Sequence, residues 1–181
     1  MALTSQSGES ICRLATTVAL PEGPAADPLA WLAAAPSENE RWFWEVPEQG
    51  VSWVGLGVAD SIDVGGEGRF TKASESARNL FGFLQVNAPS EAPLPRLAVG
   101  FGFDNHPAPG RWAPLGAGRL VLPTVQVLRQ SESAWLTSVG SPAGPLPTEP
   151  APDPIHLSDT EPANWASPAG RNRYRHLVRT A

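Results

Sequence analysis

Residues 41–60 have the sequence RWFWEVPEQGVSWVGLGVAD, and this stretch decides the fold. Two runs rich in aromatic and β-branched residues, 41–46 and 51–59, flank the four residues PEQG at 47–50. Such side chains favour strands, and a short connection that begins with proline and ends with glycine is typical of a turn. The stretch therefore predicts an antiparallel β-hairpin.

The segment before the hairpin predicts one strand and one short helix. Residues 11–20, ICRLATTVAL, have the composition of a strand. Asp27 is a typical helix N-cap, and Pro28 suits the first helical position. The run LAWLAAA that follows should continue this helix until Pro36 ends it.

The segment after the hairpin predicts a turn at 63–68 and then a second helix over 71–86. One face of this helix is apolar and has helical spacing; it consists of Ala73, Ala77, Leu80, Phe81 and Leu84.

Three further strands are predicted at 96–104, 119–130 and 133–140, the last two as a hairpin that turns at 130–133. Pro123 lies inside the 119–130 run and cannot donate a ladder hydrogen bond. Its presence predicts an edge position or a bulge.

Residues 141–181 predict a linker and a helix. Seven prolines between 141 and 166 disfavour regular pairing, so we expect a linker there. A helix should begin with Ser167 as its cap, with an apolar face of Tyr174, Leu177, Val178 and Ala181. No helix-stop residue follows, which is expected either for a docked or frayed terminal helix or for a chain interrupted within the helix.

Composition excludes several classes of protein. The 181 residues are 41% hydrophobic with a net charge of −5, which does not predict a nucleic-acid surface, and no apolar run approaches a membrane span. Cys12 is the single cysteine, so neither an intramolecular disulfide nor a thiolate zinc site is expected. The first twenty residues lack the pattern of a signal peptide, and a cytoplasmic location is expected.

No catalytic, cofactor-binding or metal-binding set is predicted from the residues. Lys72 is the only lysine and should be solvated at the start of the second helix. The acidic residues Glu67, Glu75 and Asp104 fall on different elements, without a spacing that pairs two carboxylates. The three histidines, His106, His156 and His176, have no companion at ligand spacing.

Other familiar patterns also have structural interpretations. The run GLGVAD at 55–60 is similar to a dinucleotide-binding loop, but an aspartate replaces the third glycine, and close strand packing explains its glycines better. Three serines lack the context of a catalytic nucleophile: Ser76, Ser131 and Ser133. The hairpin tryptophans, Trp42, Trp44 and Trp53, should divide between the core and the sheet surface.

Taken in order, these elements resemble the amino-terminal half of isochorismate synthases, which belong to the chorismate-utilising enzymes. The resemblance rests on the aromatic hairpin 41–60, the GFGFD strand at 100–104, a tryptophan-containing loop, RLVLPTVQVLR and AWLT, and the closing RNRYRHLVRTA. It covers about residues 27–181.

The resemblance implies an α+β fold: an antiparallel sheet with helices on one side, as half of a two-sheet fold with the active site between the sheets. Residues 1–140 would be the scaffold, 141–166 the linker and 167–181 the start of a helix that leads into the catalytic half. The resemblance further implies that the complete enzyme uses Mg²⁺ to hold chorismate, a lysine to activate water and a glutamate to protonate the leaving hydroxyl. These residues belong to the carboxy-terminal half, so the resemblance implies that this chain alone binds no Mg²⁺ and is inactive.

Two other interpretations remain open. The chain could be a non-catalytic assembly module that pairs with a separately encoded catalytic half. It could also be an unrelated α+β domain, which would not be expected to place the strand 96–104 against the first hairpin. Neither a nucleic acid nor a membrane is an expected partner.

Overall fold

The computed structural model describes residues 13–103, 113, 116–140 and 143–148. They all belong to one compact unit, Met1–Ala151, and the second unit, Pro152–Ala181, lies outside the described residues. In chain order the elements are β1 (Arg13–Ala19), α1 (Pro28–Ala34), β2 (Arg41–Val46), β3 (Val51–Leu56), β4 (Asp60–Asp63), α2 (Arg69–Gly82), β5 (Leu84–Asn87), β6 (Ala98–Phe101), β7 (Gly118–Leu122), β8 (Val125–Gln130) and β9 (Ser133–Val139).

The strands form two sheets, so the α+β class is confirmed. The larger sheet has the order β2-β3-β8-β9-β1-β5, and the smaller one has the order β4-β7-β6. Every pair is antiparallel except β1 and β5, which run parallel. The predicted hairpin is β2 and β3, with Trp44 opposite Trp53. The hairpin β8–β9 is confirmed as well.

The first helix forms as its sequence predicts. The carboxylate Oδ1 of Asp27 accepts a hydrogen bond from the backbone N–H of Leu29 at 3.0 Å. The indole Nε1 of Trp31 donates to the carbonyl of Ala25 at 2.9 Å, which ties α1 to the preceding turn. The helix ends at Ala34, before Pro36.

The segment 119–130 is two strands, and the prediction of a single strand was wrong. β7 lies in the smaller sheet and β8 in the larger one, and only Pro123 and Thr124 separate them. Pro123 therefore marks a corner where the chain changes sheets, which removes the need for a ladder hydrogen bond at this residue. β8 is an interior strand, so the expected edge position was also wrong.

The second helix ends earlier than its apolar spacing predicted. It covers Arg69–Gly82, and β5 follows at once, with Leu84 paired to Arg13 of β1. Leu84 fits the helical spacing, but it packs instead near Ala15 and Val139. Pairing with a distant strand has overridden the local pattern. The short strand β4 was not predicted, and the strand predicted at 96–104 is shorter, Ala98–Phe101.

The core has a layer on each face of the larger sheet. On one face α1 packs in a cluster that contains Trp31, Val54, Leu56, Val127 and Leu136. On the other face the two sheets meet in a cluster of Trp53, Ala98, Val121 and Leu128. Neighbours such as Trp53 and Val54 point to opposite faces because strand side chains alternate.

These clusters bear on the interpretation of the chain as an unrelated α+β domain, which would not be expected to place the strand 96–104 against the first hairpin. Ala98 belongs to β6 and Trp53 to β3, so the strand predicted at 96–104 does face the first hairpin. The smaller sheet carries α2 on its far side, through the cluster of Val64, Ala73 and Leu120. No helix among the described residues is both long and apolar enough to cross a membrane. The predicted helix 167–181 lies outside the described residues, and so does the predicted linker except for residues 143–148.

Candidate functional site

A row of polar side chains crosses the inner face of the larger sheet. Gln126 on β8 lies opposite Thr137 on β9, and Thr137 lies opposite Thr17 on β1. All three are 5% exposed or less. Strand alternation brings them to the same face as Trp53 and Leu128, where the smaller sheet covers them.

Hydrogen bonds satisfy most of this row. The amide oxygen Oε1 of Gln126 accepts from Nε1 of Trp53 at 3.3 Å and from the backbone N–H of Arg96 at 2.8 Å. The hydroxyl oxygens of Thr17 and Thr137 lie 2.9 Å apart. The amide nitrogen Nε2 of Gln126 is buried and has no partner among the described residues. Gln126 thus joins the hairpin to the segment that leads into β6.

A cavity next to Gln126 is too small for a substrate. Its lining residues are Trp53, Pro93, Leu94, Arg96, Gln126, Leu128 and Thr137, and its volume is ≈ 10 Å³. One water molecule needs about this volume, and a ligand pocket typically needs several hundred Å³. A single water molecule here could accept a hydrogen bond from Nε2 of Gln126. The row is therefore a structural polar centre, and it does not bind a ring-sized molecule.

Arg69, at the start of α2, is a second buried polar group. It is 5% exposed, and its guanidinium donates to the carbonyl oxygens of Ala117 at 3.4 Å and Phe103 at 3.2 Å. The guanidinium carbon also lies 4.9 Å from the ring centre of Phe70. These contacts hold together the two chain ends that flank residues 104–116. The sequence gives no signal for this role, because an arginine in a first helical turn usually lies in solvent.

The residues considered as candidates from the sequence do not form a site. Lys72 is exposed, with Nζ 3.5 Å from the carbonyl oxygen of Gly65. Glu67 and Glu75 are also exposed. Four other candidates lie outside the described residues: Asp104, His106, His156 and His176.

The described part of the chain was found to contain no cluster of metal-binding side chains. No group of three or more His, Cys, Asp or Glu side chains among residues 13–103, 113, 116–140 and 143–148 could hold a metal. Mg²⁺ takes oxygen ligands, typically one or two carboxylates together with water and substrate oxygens.

Close packing explains the glycines of the run GLGVAD. A Cβ on Gly55 would lie 2.6 Å from Cγ of Pro123 and 2.8 Å from Cη2 of Trp53. Gly57 has a φ of 66°, a conformation that favours glycine, at the point where the chain leaves β3 for the smaller sheet. Because β4 follows instead of a helix, the run is not a dinucleotide-binding loop.

The hairpin tryptophans divide as predicted. Trp53 is 6% exposed in the core, and Trp44 is 64% exposed on the sheet surface. The serines show no catalytic arrangement. Ser131 and Ser133 are exposed at the β8–β9 turn, and Ser76 is half-buried on α2.

Comparisons with known proteins give one family. The profile of a family described as "Chorismate binding enzyme" matches residues 6–141. A solved structure of MenF, the menaquinone-specific isochorismate synthase from Escherichia coli, has 20% sequence identity and a TM-score of 0.46. The match covers 70% of this chain and 24% of that chain, so this chain spans about a quarter of its length. A search of curated proteins finds no significant match.

Proposed function

Because this chain belongs to the chorismate-binding enzyme family, we propose that it is the amino-terminal part of an isochorismate synthase and is inactive alone. The reaction of the complete enzyme would convert chorismate to isochorismate, for menaquinone or siderophore precursors, in the cytoplasm. The observation that carries the proposal is the family match, which extends through both sheets from β1 to β9.

The described residues support a scaffold role. Moving a hydroxyl between two ring carbons requires a base for water and an acid for the leaving hydroxyl, held close together. Lys72, Glu67 and Glu75 are exposed, and the cavity beside Gln126 has a volume of only ≈ 10 Å³. The lysine, the glutamate and the residues that hold Mg²⁺ would come from a carboxy-terminal half outside these 181 residues.

The test is an assay for isochorismate. The purified chain is incubated with chorismate, with and without Mg²⁺, and the products are separated by chromatography. We expect no isochorismate above the rate without protein. Formation of isochorismate by the purified chain would contradict the proposed inactivity.

Complementation tests the assignment to isochorismate synthases. The chain is co-expressed with the carboxy-terminal half of a complete isochorismate synthase, and that half alone is the control. We expect isochorismate only when both are present. The same yield of isochorismate with and without this chain, or none from the pair, would contradict the assignment.

A second candidate function, a non-catalytic assembly module, is favoured by an exposed apolar surface beside β6. Phe70, Val99 and Phe101 are 60%, 53% and 38% exposed, and the rings of Phe70 and Phe101 lie 4.7 Å apart. Val99 and Phe101 lie on the same side of the smaller sheet as Leu120, which packs against α2. A partner half would cover these side chains.

Two charge-adding substitutions test whether this apolar surface binds a partner half or is only exposed to solvent. We expect Phe70→Asp to weaken binding of the co-expressed half by about tenfold or more, because it places a charge in an apolar contact. Thr71→Asp adds the same charge at the next exposed position and is the matched control. Equal binding of the co-expressed half by both variants would exclude this surface as the site that contacts it.

A further inference from the structure

Among the described residues, β2 is an edge strand of the larger sheet with no strand paired to its outer side. It is the terminal strand in the order β2-β3-β8-β9-β1-β5, and its residues are RWFWEV. Phe43 is 36% exposed and Trp44 is 64% exposed. Edge strands expose free backbone groups, and natural proteins usually protect them with lysines, prolines or bulges. β2 contains neither lysine nor proline, and its two charged side chains, Arg41 and Glu45, have opposite signs.

One hydrogen bond at the start of β2 shows which of its backbone groups point outward. The carbonyl of Glu40 accepts from the N–H of Gly57 at 2.9 Å, so Glu40 faces β3. Backbone direction alternates along an antiparallel strand, so the N–H and C=O groups of Trp42 and Trp44 also face β3. The corresponding groups of Arg41, Phe43 and Glu45 therefore point away from the sheet.

We propose that β2 pairs antiparallel with β2 of a second copy of this chain, about a two-fold axis at Phe43. In this register each Phe43 faces the other, and Arg41 lies opposite Glu45 of the second copy. On the opposite face of the paired strands, Trp42 lies opposite Trp44 of the second copy. The outward backbone N–H and C=O groups of Arg41, Phe43 and Glu45 lie opposite those of Glu45, Phe43 and Arg41 of the second copy, in that order. Each of these groups therefore gains a hydrogen-bond partner.

Charge complementarity selects a second copy as the occupant. Arg41 and Glu45 are exposed, and the ion pairs of the described residues do not include them. Opposite charges directly across a strand pair are stabilising, as are aromatic pairs. A register displaced by two residues keeps the hydrogen bonds but places Arg41 opposite Phe43, which loses both ion pairs. The proposal does not depend on the proposed enzymatic function.

Charge reversal tests the pairing. Sedimentation velocity over a concentration series should show a monomer–dimer equilibrium for the full chain. We expect R41E and E45R each to raise the dissociation constant about tenfold or more, because each places like charges opposite each other twice per dimer. The double variant R41E/E45R restores opposite charges and should return to within about threefold of the original constant.

A charge change outside the paired residues provides the control. E48R makes the same charge change in the turn beside β2, outside the paired residues, and should leave the dissociation constant unchanged. Far-UV circular dichroism confirms that each variant is folded. A chain that stays monomeric at about 100 μM, or a double variant no better than the single ones, would overturn the proposal.

A cysteine variant tests the register independently. In a Cys12→Ser background, F43C places two thiols on the two-fold axis, where paired Cα atoms lie about 5.5 Å apart, within disulfide range. We expect F43C to form a covalent dimer under mild oxidation, at least about tenfold faster than W42C. Equal rates for the two variants would exclude this register.

Discussion

At the scale of single residues, Gln126 links the two sheets through one oxygen atom. Its Oε1 accepts from the indole of Trp53 in the larger sheet and from the backbone of Arg96, which leads into the smaller sheet. A buried donor that loses its acceptor retains the penalty of leaving water, so the effect of losing Gln126 should exceed that of an average hydrogen bond.

We expect Gln126→Ala to lower the free energy of unfolding by about 3 kcal/mol, since it leaves two donors unpaired and creates a cavity. Urea unfolding followed by tryptophan fluorescence measures the change. Gln130→Ala, at the exposed end of the same strand, is the control and should stay within about 0.5 kcal/mol. Similar losses for the two variants would show that the buried amide has no special role.

Gly55 gives a second prediction at this scale, because its neighbours leave no room for a methyl group. Gly55→Ala should lower the free energy of unfolding by about 1–3 kcal/mol, as Pro123 and Trp53 must shift to relieve the overlap. Gly100 is the matched strand glycine, and a Cβ there meets nothing within 4 Å. Gly100→Ala should leave the thermal midpoint unchanged or raise it slightly. Equal midpoints for the two variants would contradict the packing argument.

At the scale of elements, the sequence predicted those that depend on neighbours along the chain. The hairpin β2–β3 and the capped start of α1 formed as expected because turn and cap residues act locally. The end of α2 and the division at Pro123 were missed because distant strands decide them. Leu84 suits a helix by spacing, and its pairing with Arg13 made it part of a strand.

The cap of α1 supports a prediction at this scale. Asp27→Ala removes the acceptor for the N–H of Leu29 and should lower the free energy of unfolding by about 1 kcal/mol. Asp27→Asn keeps an acceptor and should preserve most of the stability, which separates the hydrogen bond from the charge. Glu22→Ala removes an exposed acid outside the helix and is the control. Urea unfolding compares the three, and a full loss with Asp27→Asn would assign the effect to charge.

At the scale of the whole molecule, the family could be predicted from the order of elements, but the buried polar groups could not. Gln126 lies between Val125 and Val127 on a strand covered on both faces. The local sequence is compatible with either a buried or an exposed amide, so it does not predict the burial. Arg69 looks like a solvated helix residue until the carbonyls of Phe103 and Ala117 are placed beside it. Such groups depend on two distant segments meeting.

The packing of the two sheets leads to a prediction about cooperativity. Leu122 of the smaller sheet is 1% exposed and packs with Ala15 and Val139 of the larger sheet. Leu122→Ala should lower the free energy of unfolding by about 3 kcal/mol, because the cavity lies between both sheets. Leu94→Ala is the matched control. Leu94 is 75% exposed, and the change should stay within about 0.5 kcal/mol.

If the sheets unfold as one unit, tryptophan fluorescence and far-UV circular dichroism should report the same shifted urea midpoint for Leu122→Ala. Trp53 lies at the contact between the sheets and contributes to the fluorescence together with the other tryptophans, whereas circular dichroism reports on all strands and helices. A fluorescence midpoint that moves while the circular dichroism midpoint stays would mean that the smaller sheet separates first. In that case the contact between the sheets would be weaker than its burial suggests, and the larger sheet would hold its structure through α1 and its own strand pairing.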